Sequence, residues 1–185
     1  MVRIQAPTTL QRRTRKWAAD GRGAGRSWAQ YIGVVTDSVS PESLFSLAGL
    51  LAAVGWILLA ALPRWRWTMG IAAVFLPLTL AGLYLGLVLV HLIGAEGGFG
   101  SLEQVARLFE NPWLLLAGWV HYLAFDLFVG AWEVRDAQRL ALPHVAVLPC
   151  LALTFLVGPI GLLVYFLVRA TLRGAVTAVE VSDEG

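Results

Sequence analysis

The chain has 185 residues, 58% of them hydrophobic and 14% charged, with a formal net charge of +2. A soluble domain carries roughly 25% charged residues, so the composition excludes an ordinary soluble fold and describes one small integral membrane domain. Half of the basic residues lie at or before Arg26, and a short basic tail beside a membrane is drawn to anionic headgroups, which makes nucleic acid an unnecessary partner.

Residues 1–43 form that tail. Arg3, Arg12, Arg13, Arg15, Lys16, Arg22 and Arg26 are followed by no apolar run, so it is not a cleavable secretory signal. It is expected to be disordered or surface-lying. The transmembrane domain is expected over residues 44–170. Ser40-Pro41-Glu42-Ser43 starts a helix, with proline early and an acid complementing the helix dipole. Leu44 to Leu62 is uncharged and makes the first span. Pro63-Arg64-Trp65-Arg66-Trp67 ends it with the residue types of the headgroup zone, predicting a tight hairpin.

A second span runs from about Thr68 to Ile93, with Pro77 predicting a kink. Gly82 and Gly86 form a GxxxG surface that suits either packing within the chain or a homo-oligomer. Tyr84 and His91 share one face and can meet the same neighbour. In the connection that follows, Ser101 with Gln104 three positions on predicts a capping box and a short interfacial helix through Phe109.

Asn111-Pro112 starts the span around which the rest is arranged. Trp113 to Trp132 can cross a bilayer, yet His121 and Asp126 lie near its middle, and ionisable groups at that depth are a functional-site hypothesis by default. At about 100° per residue, Tyr122, Asp126, Glu133 and Asp136 form one stripe joined by Trp119, while His121 stands about 140° from Asp126, flanked by Phe125, Phe128 and Trp132. That separation argues against a compact metal pair, although a metal held by His121, Asp126 and a residue of another span stays open as an alternative. Asp126 can also be a structural bolt accepting from Tyr84, Tyr165 or Thr154, and Glu133 and Asp136, beside Arg135 and Arg139, can be interfacial charges. His91 and His144 lie at span ends, where a solvated or helix-end role outweighs ligation.

A fourth span is expected from near Leu142 to Val168, interrupted at Pro149 and Gly158-Pro159 and stopped by Arg169 and Arg173. Cys150, Thr154, Gly158, Gly161 and Tyr165 make a small, polar stripe suited to packing on the central helix, and Cys150 reads as a small buried hydrophobe. An acidic tail, 171–185, closes the chain. The fold class is therefore all-α and polytopic: four transmembrane helices, with the interfacial helix between spans two and three. Four spans place both termini on one side, and the Lys and Arg distribution favours the cytoplasm.

The chain resembles the abscisic-acid-deficient-four-like family over about residues 44–170. The resemblance rests on Leu62-Pro63-Arg64-Trp65, on Ala117-Gly118-Trp119-Val-His121-Tyr122-Leu-Ala-Phe125-Asp126-Leu-Phe-Val-Gly130-Ala-Trp132, on Pro149-Cys150-Leu151 and on Thr154 through Tyr165. It implies a four-span membrane protein of carotenoid metabolism, named for a plant plastid member needed to make neoxanthin from violaxanthin. That conversion opens a carotenoid epoxide by protonating its oxygen and removing a chain proton. It needs no redox change and no cofactor. By resemblance, Asp126 and His121 are the first catalytic candidates, with Glu133 and Tyr122 behind them, and Trp119, Phe125, Tyr84, Tyr165 and Trp132 contact the substrate. The expected partner is a carotenoid or another isoprenoid lipid. The N-terminal tail lacks a transit peptide's length and serine content, and the composition looks bacterial, so the bacterial inner membrane is the expected location. A non-catalytic carotenoid or retinoid binder and a small proton-coupled transporter are the alternatives.

Overall fold

The computed structural model describes residues 40–174, and every regular element among them is helical. They are α1 (Pro41–Ala61), α2 (Gly70–His91), α3 (Leu102–Glu110), α4 (Pro112–Arg139), α5 (His144–Val157) and α6 (Pro159–Arg173). The basic tail before residue 40 and the acidic tail after residue 174 lie outside the described residues.

Three helices, α1, α2 and α4, are long and apolar enough to cross a membrane. Half of the apolar window of α4 is buried, against 28% for α1 and 22% for α2, so α4 is the axle. Every other element packs on it. Without a hydrophobic force between helices in lipid, close packing rests on small residues, and the α1–α4 seam uses two. A Cβ at Gly55 would stand 2.7 Å from the Leu127 methyls, and one at Gly130 would stand 2.6 Å from the Trp56 ring. Gly82 and Gly86 face open space instead, so the GxxxG surface takes no part in packing among the described residues.

Local chemistry sets the helix ends. The Ser101 hydroxyl accepts from Gln104 N, and Gln104 Oε1 accepts from Gly100 N, each at 3.2 Å, which caps α3. Asn111 Oδ1 accepts from Trp113 N at 2.9 Å and caps α4. The α1–α2 hairpin is tight, with the Thr68 hydroxyl donating to Leu62 O at 2.6 Å. Proline 77 leaves the carbonyl one turn earlier without its donor; the helix accommodates this with a π-helical stretch, Gly70–Phe75, just before it.

The expected fourth span does not cross as one helix. Thr154 and Tyr165 are eleven positions apart, about 16 Å along a continuous helix. Their hydroxyls nevertheless reach Glu133 and Asp136, which lie one turn apart on α4. Thus α5 and α6 fold back as a hairpin about 22 Å deep. Gly158 makes the turn at φ 52°, where a side chain is strained, and Pro159 has no N–H to continue α5. Gly161 seats so tightly on the Thr154 backbone that no Cβ fits there. At the foot of the hairpin Arg173 donates to Ala141 O at 2.5 Å. A turn inside hydrocarbon needs its backbone groups satisfied; Tyr122 OH donates to Phe155 O at 3.3 Å, and Gly161 N donates to Gly158 O at 3.0 Å.

The hairpin corrects the expected topology as well. Gln138 Nε2 donates to Pro63 O at 2.7 Å, and His144 Nε2 lies 3.0 Å from Ala60 O, so the α1 and α4 C-termini meet at one end of the bundle. His91 stacks on Trp113 at 4.8 Å at the other. Pro41 and Arg173 therefore stand at opposite ends of the described bundle, and the chain's two termini lie outside the described residues.

Candidate functional site

The polar residues of α4 divide between two faces. Toward the hairpin, Glu133 is 0% exposed and Asp136 3% exposed, which corrects the expectation of interfacial, solvated charges. Thr154 donates to Glu133 Oε1 at 2.9 Å, and Tyr165 donates to Asp136 Oδ2 at 2.7 Å. Arg169 Nε lies 3.2 Å from the same Asp136 oxygen, with both side chains buried. These contacts take up the Thr154 and Tyr165 hydroxyls, two of the three donors considered for Asp126, so the bolts of the structure are Glu133 and Asp136. Arg169 is the residue that sequence reasoning missed. It reads as an interfacial stop, and only its spacing of four from Tyr165, which puts both on one helix face, hints that it points inward.

Asp126 stands at the hairpin tip, where its carboxylate oxygens would be 3.1 and 3.2 Å from a Cβ at Gly158. Its Oδ2 is buried with no hydrogen-bond partner among the described residues. Tyr122 is one turn away, and the Trp119 ring lies 5.4 Å from both Tyr122 and Phe45 of α1.

On the other face, α2 and α4 enclose a furrow along their seam. Its first chamber, about 290 Å³, lies under α3 between Tyr84, Val88, Phe109, Gly118 and His121. An almost wholly apolar stretch of about 350 Å³ follows, lined by Pro77, Leu78, Ala81, Phe125 and Phe128. It shares Ala73, Val74 and Phe128 with a third recess of about 210 Å³ that ends at Trp132 and Arg135. The three cavities line up along the seam beside α4 from Leu114 to Arg135, about 31 Å of helix. The His121 ring lies 5.4 Å from Tyr84 across the seam and 4.6 Å from Phe125. Neither the imidazole nor the Tyr84 hydroxyl hydrogen-bonds to another described residue.

The structure thus brings together His121, Tyr84, Phe125 and Trp132 in the furrow, and separately Asp126, Tyr122, Glu133 and Tyr165 at the hairpin, with Trp119 between hairpin tip and α1. His121 and Asp126 face different sides, and among the described residues no three of His, Cys, Asp and Glu gather as metal ligands. Tyr84 and His91 do share a neighbour, since both rings meet α4.

Three helices long and apolar enough to cross a bilayer, packed with a shorter apolar hairpin, define a helical integral membrane protein. A family model described as ABA DEFICIENT 4-like matches residues 43–165, and the chain belongs to that family. No curated protein and no solved structure matches it.

Proposed function

We propose that the protein is a membrane isomerase acting on a carotenoid-like, oxygenated isoprenoid, bound along the α2–α4 furrow. The observation that carries this is the His121–Tyr84 pair: an imidazole and a phenol on facing helices, 5.4 Å apart, set without hydrogen-bond partners among the described residues in a mostly apolar cavity, with further apolar cavities along the same seam. Polar groups facing hydrocarbon cost several kcal/mol unless a partner arrives. An oxygen-bearing isoprenoid supplies that partner.

The chemistry is an acid–base isomerisation. Tyr84 donates a proton to the epoxide oxygen as its C–O bond breaks, and His121 removes a proton from the adjacent chain carbon, so the product has unchanged mass. The proton on His121 then returns to the Tyr84 phenolate, and the site resets without solvent. General acid and base groups supply typically 10²–10⁴-fold each. The family supports the carotenoid class, and the furrow's apolar lining supports a long chain.

The test is expression in bacteria accumulating epoxy-carotenoids, with extracted pigments resolved by chromatography and mass spectrometry. A product of unchanged mass and altered retention is expected, lost in His121→Phe. Unaltered pigment with both proteins would overturn isomerisation and leave the furrow as a binding site.

A further inference from the structure

We infer a second binding site, for an anionic phospholipid, in the recess between the start of α2 and the last turns of α4, where Arg135 and Trp132 take the headgroup phosphate. It uses neither Tyr84 nor His121 and stands apart from the isomerase reading. Its setting is a segregation of charge that the fold creates. Gln138 reaches Pro63 O and Arg173 reaches Ala141 O, so the α1–α2 turn, the α4 C-terminus and the foot of the hairpin share one end. That end exposes Arg64, Arg66, Arg135, Arg139 and Arg173 and, among the described residues, no acid. The opposite end exposes Glu42, Glu96, Glu103 and Glu110, with Arg107 paired to Glu103 at 2.5 Å. Basic side chains clustered beside a bilayer attract anionic headgroups.

The recess gives that attraction a seat. It encloses about 210 Å³ between Met69 and Gly70 of α2 and Phe128, Trp132 and Arg135 of α4. A Cβ at Gly70 would meet no atom within 4 Å, so the approach beside α2 is open. The two nitrogen-bearing side chains of the lining, Trp132 and Arg135, can only donate. Neither has a hydrogen-bond or ion-pair partner among the described residues. The Trp132 ring is held in place by Tyr165 and Phe166, each at 5.6 Å. Donors without an acceptor suit a phosphodiester, whose charged oxygens only accept and which a guanidinium can grip through two N–H groups. The order of residues fits a lipid. Arg135 stands about one turn before α4 ends at Arg139, while Val74 and Phe128, 53% and 52% exposed, lie deeper and meet an acyl chain running down from the phosphate. A zwitterionic lipid carries the same phosphate with a cation that the arginines repel.

The experiment incubates the full chain, in mild detergent, with equal amounts of phosphatidylglycerol and phosphatidylcholine of matched acyl chains and counts the retained lipids by native mass spectrometry. The wild type is expected to retain phosphatidylglycerol with about fivefold or greater preference, the worth of one basic side chain near an anionic surface. Arg135→Gln should remove that preference. Arg64→Gln loses the same charge at the same end but outside the recess, and should keep most of it. Both side chains are exposed, so helix content should match the wild type in each variant. Equal retention of the two lipids by the wild type would overturn the site. Equal losses in Arg135→Gln and Arg64→Gln would overturn it too, since the arginines would then act as diffuse surface charge.

Discussion

Arg169 and Asp136 are a buried ion pair, and each is the charge that compensates the other. Asp136 Oδ2 is met by both Tyr165 OH and Arg169. Removing one partner strands the other charge, which costs about 3–5 kcal/mol. Arg169→Leu is therefore expected to lower the unfolding free energy in detergent, read from helix loss, by that much, whereas Arg169→Leu with Asp136→Leu recovers most of it. Equal loss in single and double variants would show that the pair is not coupled. In the furrow, Tyr84→Phe keeps the ring contact with His121 and removes only the hydroxyl. Product formation in pigment-accumulating cells should fall about 10²-fold or more with pigment binding retained; a rate within twofold of wild type would take Tyr84 out of the reaction.

At the scale of the element, the α5–α6 hairpin depends on two glycines for different reasons. Gly161 permits contact with the Thr154 backbone, and Gly158 adopts a φ of 52° at the turn. Gly161→Val forces the helices apart and should disconnect Thr154 from Glu133 and Tyr165 from Asp136 together, giving a loss larger than either hydrogen bond alone, each net about 1 kcal/mol. Gly158→Ala adds the strain of a side chain at positive φ, about 1–3 kcal/mol. Both are read by the same detergent unfolding, and a neutral Gly161→Val would mean that the hairpin is not close-packed there. By contrast Gly82→Leu and Gly86→Leu, at positions open among the described residues, should leave the stability of the single chain unchanged.

Among the described residues, three helices long and apolar enough to cross and one helical hairpin place Ala141 and Arg173 at the same end of the bundle and Glu110 at the other. Cysteine substitutions in a Cys150→Ser background check this, since Cys150 is buried and its thiol, 3.6 Å from Ala146 O, is a weak donor only. A membrane-impermeant maleimide should label Ala141→Cys and Arg173→Cys from one side and Glu110→Cys from the other. Labelling of Ala141→Cys and Arg173→Cys from opposite sides would restore a fourth crossing. The α3 helix closes one end of the furrow, where Phe109 stands over Gly118, with 3.1 Å between its ring and a Cβ placed there. Gly118→Leu is expected to fill that chamber and cut product formation while leaving helix content intact.

Much of this architecture follows from the sequence by local rules. The apolar lengths of α1, α2 and α4, the caps at Ser101 and Asn111 and the separation of His121 from Asp126 depend only on residues near in sequence, through helix periodicity and the cost of charge in hydrocarbon. The stripe of Cys150, Thr154, Gly158, Gly161 and Tyr165 is legible only in part: Thr154 and Tyr165 reach α4 as expected, whereas Gly158 makes the turn and Gly161 packs on Thr154 within the hairpin. What only the tertiary structure decided is where the chain turns. Gly158-Pro159 reads equally as a kink within a crossing or as a re-entrant tip. The choice rests on Glu133, Asp136 and Arg169, distant in sequence and each costly to bury alone, which can be buried together only if α6 returns alongside α4.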